Sequence, residues 1–430
     1  MNGWNFLALV ALASAATYAQ EYKRVCYITN WAQYRPAPAS WFPNKTDPSL
    51  CSHVLFAFAI IDANNSVIHQ EWNDDIPGGL YDQTIALKER EPNLKVLISI
   101  GGYNFGMWQV TIMMSTPGNR SAFINSAINF CRTRDFDGVD LDFQFPGSAW
   151  RGSPPEDKYR FTILLQEFRA AIASEAVSSG KDPLILTAAV GAQEITINAG
   201  YEVDLIHQYL DFINVMSYDF NGAWDVMTGL NAPLYARADE FGVEYDGSNR
   251  STRNLDWAAR YWAELGAPKE KLVLGLALYG RSFTLANVVE NDVGDPISGP
   301  GWAGIYTGEA GFLSYYEVCS VINQGVTRVF HQEHQTPYIY RDDQWVGYDD
   351  EESLKLKVDY IKANGYSGWM TWNLDLDDFS GGLGCNAGPY PLLTAINNFL
   401  LNTSVPLNSP FPAAPLTGKR PARKTRINRQ

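Results

Sequence analysis

The chain has 430 residues, long enough for more than one typical domain or for a single α/β barrel. A hydrophobic share of 46% and 35 glycines fit a packed globular protein and exclude a disordered one. The net charge of −14 argues against nucleic acid or an anionic membrane surface as partner, and no internal apolar run is long enough to span a bilayer.

Residues 6–16 form an apolar run that ends in the small-residue stretch Thr17-Tyr18-Ala19. This reads as a secretory signal, segment 1–19, cut near Ala19, so the mature protein is expected to be secreted and extracellular. A short strand follows at 25–29, then a loop at 30–34 with exposed aromatics. Residues 53–59 are a second strand, apolar on both faces, as in parallel sheets covered by helices. A helix at 80–91 stops before Pro92, and a third strand at 94–100 ends at Gly101-Gly102. Residues 120–132 repeat apolar positions at helical spacing.

The stretch 136–146, Phe-Asp-Gly-Val-Asp-Leu-Asp-Phe-Gln-Phe-Pro, is the fourth strand. Alternation places Asp140, Asp142 and Gln144 on one face and Asp137 on the other. Two carboxylates and an amide in register make a poor core, because buried carboxylates cost several kcal/mol unless paired or hydrogen-bonded. Pro146-Gly147 ends the strand where a cleft can open. Asp137 faces away from that cleft and reads as structural.

A helix at 158–176, a fifth strand at 184–190, a short helix at 203–209 and a sixth strand at 212–218 come next. Residues 257–265 are helical and 272–279 are the seventh strand. Regularity breaks from about 282 to 348, with strand-like pieces at 312–319 and 336–341. A helix at 352–364 and an eighth strand at 366–372 close the series. Eight strands alternating with helices predict an α/β fold, a (β/α)8 TIM barrel, with an α+β subdomain inserted between strand 7 and helix 7. The expected division is barrel 20–281, insertion 282–348, barrel 349–402, and a disordered, Pro-rich basic tail 403–430. That tail carries Lys419, Arg420, Arg423, Lys424, Arg426 and Arg429 and no acid. In such barrels the site lies at the carboxyl ends of the strands, where Asp142, Gln144, Tyr218 and Trp372 all fall.

Five cysteines, Cys26, Cys51, Cys131, Cys319 and Cys385, leave one free or bonded to another molecule in a secreted chain. Five glycosylation sequons start at Asn44, Asn64, Asn119, Asn249 and Asn402. The histidines, His53, His69, His207, His331 and His334, show no metal-ligand spacing and read as surface residues. No metal and no cofactor is expected.

Seven stretches in order carry a family resemblance over residues 22–401. They are Cys26-Tyr-Ile-Thr-Asn-Trp31, Ser99-Ile-Gly-Gly-Tyr103-Asn-Phe-Gly106, the strand-four motif, Asn214-Val-Met-Ser-Tyr218-Asp-Phe, Tyr279-Gly-Arg281-Ser-Phe, Trp345-Val-Gly-Tyr348-Asp-Asp and Trp372-Asn-Leu-Asp-Leu-Asp-Asp-Phe379. The chain resembles glycoside hydrolase family 18, the chitinases and chitinase-like lectins. The resemblance implies disulfides Cys26–Cys51 and Cys319–Cys385, with Cys131 free. Family members cleave β-1,4-linked N-acetylglucosamine with help from the substrate's own N-acetyl group, outside the two-carboxylate scheme. Their D-x-x-D-x-D-x-E motif ends in the glutamic acid that protonates the leaving oxygen. Here the four positions are Asp137, Asp140, Asp142 and Gln144, and the acid is absent.

An amide donates a hydrogen bond but has no proton to transfer near neutral pH, and a positioned general acid contributes about 10²–10⁴-fold. The motif is degenerate and no catalytic residue is expected. Phe143, Phe145, Tyr103 and Ala277 replace residues more usual in the family, which points to a natural non-enzyme. Sugar binding remains, since aromatic faces stack on pyranose rings and a few polar groups orient them. By resemblance Trp372 floors the central subsite, and Trp31, Tyr103 and Trp224 line the cleft, while Trp108 and Trp224 read equally well as packing. Tyr218 would bond the N-acetyl carbonyl, with Asp142 and Asp219 holding polar groups nearby. Tyr27, Met216, Tyr279 and Arg281 match further cleft positions. The expected protein is a monomeric lectin for chitin or chitooligosaccharides. Its alternatives are a weakly active chitinase using Asp142 or a water, and a structural extracellular-matrix protein with a vestigial cleft.

Overall fold

A computed structural model describes residues 22–240 and 249–402; the signal segment 1–19 and the tail 403–430 lie outside them. Eight parallel strands close on themselves: β1 (Lys23–Thr29), β2 (His53–Ile61), β3 (Lys95–Gly101), β4 (Gly138–Asp142), β5 (Ile185–Val190), β6 (Phe212–Val215), β7 (Leu272–Ala277) and β8 (Gly368–Trp372). β8 pairs with β1 through Cys26↔Thr371, and β1 pairs with β2 through Tyr27↔Leu55, so no edge is left open. The architecture is the predicted (β/α)8 barrel.

Strands that are apolar on both faces explain the closure. Val54, Leu55, Phe56, Val96, Leu97, Ile98, Val139 and Leu141 are all buried, alternately inside the barrel and beneath the helices. The longest covering helices are Pro117–Arg134, Asp157–Ser179 and Glu351–Asn364. Thr116 caps the first by accepting from Asn119, and Gly180 and Gly365 end the other two in the left-handed conformation.

Between β7 and the helix Glu351–Asn364 lies a second, antiparallel sheet. Its strands, in spatial order, are Ile297–Pro300, Tyr279–Leu285, Gln344–Gly347, Thr336–Arg341 and Thr327–His331. Phe312–Ser314 also pairs with Tyr279–Leu285. Leu230, Phe283, Leu285, Val293, Tyr338 and Trp345 form its own small core. Disulfides join Cys26 to Cys51 and Cys319 to Cys385, and Cys131 is a buried free thiol.

Several elements differ from the sequence reading. β4 stops at Asp142, β6 at Val215 and β7 at Ala277, so Gln144, Tyr218 and Tyr279 lie beyond their barrel strands. Of residues 312–319, read as strand-like, Phe312–Ser314 form a strand, but Tyr315–Ile322 is a helix, because Ser314 and Glu317 form a reciprocal capping box at its start. A final helix, Pro391–Leu401, was not expected; Pro391 sits in its first turn, where a missing N–H does no harm. The histidines are not surface residues as a group. His334 is buried with Nε2 3.2 Å from Glu240, His69 alone of the five is exposed, and burial drives the pKa of His53 and His331 down to about 4.

Candidate functional site

Asp140 lies at the centre of the barrel floor. Its Oδ2 accepts from the Tyr27 hydroxyl at 2.7 Å and from Ser99 at 2.8 Å. Its Oδ1 accepts from Thr187 at 2.6 Å and from the Asn214 amide at 3.3 Å. Donors from β1, β3, β5 and β6 thus meet one carboxylate from β4. Burial pushes its carboxyl up, and the four hydrogen bonds pull it back.

Asp142 stands two residues along, at the mouth, also buried. Its one side-chain partner is Gln144, whose Nε2 donates to Oδ1 at 2.8 Å. Burial, then the charge on Asp140, push Asp142 up to about 8, and the bond from Gln144 pulls the other way. A glutamic acid at 144 could make this contact only with a proton on one of the two carboxyls, and could donate only in its own protonated form. The amide therefore holds the geometry of the proton-loaded acid without a transferable proton.

The backbone around this pair is tightly drawn. Gly102 N–H donates to the Asp142 carbonyl at 2.9 Å, and a Cβ on Gly101 would lie 2.5 Å from that same oxygen. Both glycines have positive φ, so Gly101-Gly102 lets β3 end against β4 and turns the chain into the cleft wall at Tyr103.

Two aromatic groups flank the carboxylates. On the β8–β1–β2 side Trp372 lies 5.4 Å from Tyr27, 6.2 Å from Trp31 and 6.0 Å from Phe58. Trp372 keeps partial exposure, so one face of this block is open. On the β3–β4 side Tyr103 is half exposed, and the Arg151 guanidinium lies 3.9 Å over its ring and 5.3 Å from Trp150. Arg151 Nε donates to the Gln144 carbonyl at 2.8 Å, and its NH2 group donates to the Tyr103 carbonyl.

A third wall comes from β6 and the second sheet. Arg281 Nε donates to Asp219 at 2.7 Å, and its guanidinium lies 5.0 Å from the exposed Trp224. Tyr218 packs edge-on to Tyr279, and its hydroxyl has only the Met370 thioether, a weak acceptor, at 3.5 Å. That hydroxyl is free for a better partner.

The predicted residues thus fall together around one mouth, with exceptions. Asp140 is wholly enclosed, and Tyr27 is buried behind Trp372. Met216 is half-buried packing. Trp108, 79% exposed, begins a separate helix, and no ring stacks on it. Phe143 points into the core, 6.3 Å from both Phe123 and Phe161, while Phe145 turns toward Trp150. Asp137 is structural: it accepts from Val96 N–H and pairs with Lys88. Sequence reasoning missed Phe58, Ser99, Arg151 and Thr187. The period-two alternation of β3 and β5 marks Ser99 and Thr187 as inward-facing; nothing marks Arg151.

A cavity of about 830 Å³ opens at the opposite, amino-terminal end of the strands, beside Lys95, Asp137 and Ile185. Its Lys88 and Arg132 are already paired with Asp137 and Glu175. Among the described residues no cluster of His, Cys, Asp and Glu could hold a metal, and no helix is long and apolar enough to cross a membrane. Of the sequon asparagines, Asn44, Asn64 and Asn402 are exposed, and the Asn119 amide is engaged with the Ile112 carbonyl.

Residues 23–377 match the family model for glycosyl hydrolases family 18. Mouse chitotriosidase-1 is 46% identical over 394 residues, 92% of this chain and 80% of that protein. Pig oviduct-specific glycoprotein is 43% identical over 89% of this chain and 69% of its own length. Among solved structures, human YKL-39, described as a pseudo-chitinase with retained chitooligosaccharide binding, superposes with a TM-score of 0.82. It is 40% identical over 88% of this chain and 100% of that one.

Proposed function

The chain belongs to glycosyl hydrolase family 18, and from that premise we propose that it is a secreted, monomeric chitinase-like protein that binds chitin or N-acetylglucosamine oligosaccharides without hydrolysing them. The observation that carries this reading is Gln144, an amide where the family's acid belongs, donating to Asp142 at 2.8 Å. The proton donor is replaced and the walls that would hold a sugar are kept. Trp372 offers a ring face, Tyr218 a hydroxyl whose one acceptor is a thioether, and Asp142 and Asp219 offer acceptors nearby. The two disulfides support an extracellular setting. The relative described as a pseudo-chitinase with retained binding supports the same combination.

Asp142 favours a second reading. A carboxyl pushed up to about 8 holds a proton at neutral pH and could deliver it slowly, which would make the protein a weak chitinase. One experiment separates the two. The purified protein is incubated with a fluorogenic chitooligosaccharide, and its retention on chitin beads is measured in parallel. Retention with turnover at the protein-free blank is expected; turnover well above the blank that Asp142→Asn abolishes establishes the weak hydrolase instead.

A further inference from the structure

Arg151 is the one cation stacked at the rim on the β3–β4 side, and it touches both loops there. It sits at the end of a short turn, Ala149–Arg151, closed by Gly152 with φ 74°. Its two hydrogen bonds end on the carbonyls of Gln144 and Tyr103, from different loops, and its guanidinium carbon lies 3.9 Å over the Tyr103 ring. Neither carbonyl is needed for the barrel ladder, so the guanidinium serves to lock the two loops together. A planar fork with five fixed donors suits this task, whereas an ammonium cannot lie flat on a ring and bond two carbonyls at once.

We propose that Arg151 is a positioning and length-determining residue of the sugar cleft, fixing Tyr103 as the shelf for the sugar unit beyond Gln144. This rests on the sugar-binding reading above. Trp372, Trp31 and Phe58 hold their geometry by ring-on-ring packing and need no arginine. Among the described residues no ring contacts Tyr103, and the guanidinium takes that place. A saccharide confined to the Trp372 block ignores Arg151; one long enough to cross Gln144 rests on the shelf it holds. The residue thus converts chain length into affinity.

The test compares wild type, Arg151→Ala and Arg151→Lys in titrations with the N-acetylglucosamine dimer and hexamer. Losing two charge-assisted hydrogen bonds and a stacked contact predicts that hexamer affinity falls by about tenfold in both variants while dimer affinity stays within about twofold. Amide hydrogen exchange of the unliganded proteins is read over 102–106 and 144–151, and faster exchange is expected in both variants. Unchanged hexamer affinity, equal loss for dimer and hexamer, recovery by lysine, or unchanged exchange each overturns the proposal. A wild type that binds neither sugar sinks the lectin reading alone, and the exchange measurement still judges the clamp.

Discussion

Asp140 at the floor and Gln144 at the rim are four residues apart and are held in opposite ways. The floor carboxylate has four donors on two oxygens, from strands on every side of the barrel. The rim amide has one side-chain contact, to Asp142, and one borrowed cation on its carbonyl. The floor is closed by the fold, since any change there leaves buried donors unmatched. The rim is open to change, because its groups face a cleft and water can replace a lost partner. A family scaffold can therefore lose its acid at 144 while the network beneath stays complete.

The largest break of this contrast is at the rim. Gln144→Glu places a carboxyl 2.8 Å from Asp142, which at neutral pH must share a proton with it. If the floor is intact, hydrolysis of a fluorogenic chitooligosaccharide should rise by at least about 10²-fold over the wild-type background. Tyr103 and Phe145 remain, so recovery stays partial. No gain at all would mean that the floor is no longer arranged for chemistry.

At the floor, Asp140→Ala should unfold the protein more readily. It strands the Asn214 amide and three hydroxyls in a dry interior, so a loss of about 2–4 kcal/mol is expected from urea unfolding. The three hydroxyls can rotate toward one another, which keeps the figure below that of a broken ion pair. Trp372→Ala sits between the two regimes. It removes the open ring face and should weaken chitooligosaccharide binding by about 10–100-fold, with little effect on folding because Trp31 and Phe58 still pack together.

How much of this was legible in the sequence follows the same division. The barrel could be read because its strands are apolar on both faces and recur between helices. The altered motif could be read because its spacing is local. The floor network could not, because its donors lie 113, 41, 47 and 74 residues from Asp140 and converge only when the barrel closes. Arg151 was invisible for a related reason. It bonds backbone carbonyls, which every residue has, so no side-chain pattern announces it. The strand-like reading of 312–319 fails from residue 315 on, because Tyr and Val favour strands and a single capping box outweighs them.

The same contrast can be sharpened through pH. Asp142 ionises in the folded protein only near 8, because burial and the Asp140 charge oppose it, whereas an unfolded aspartate ionises near 4. Between those values the folded state binds the extra proton, so stability is fully present below the unfolded value and declines as pH rises toward about 8. Above that it levels off. Asp142→Asn cannot ionise and should flatten the decline across this window, read as the melting temperature at a series of pH values from acid to mildly alkaline. Gln144→Leu removes the one hydrogen bond that favours the ionised form, so Asp142 should titrate higher and the decline should extend further into the alkaline range. A profile identical in wild type and Asp142→Asn would show that the carboxyl at the mouth is solvated, and that floor and rim are not separated in the way the hydrogen bonds indicate.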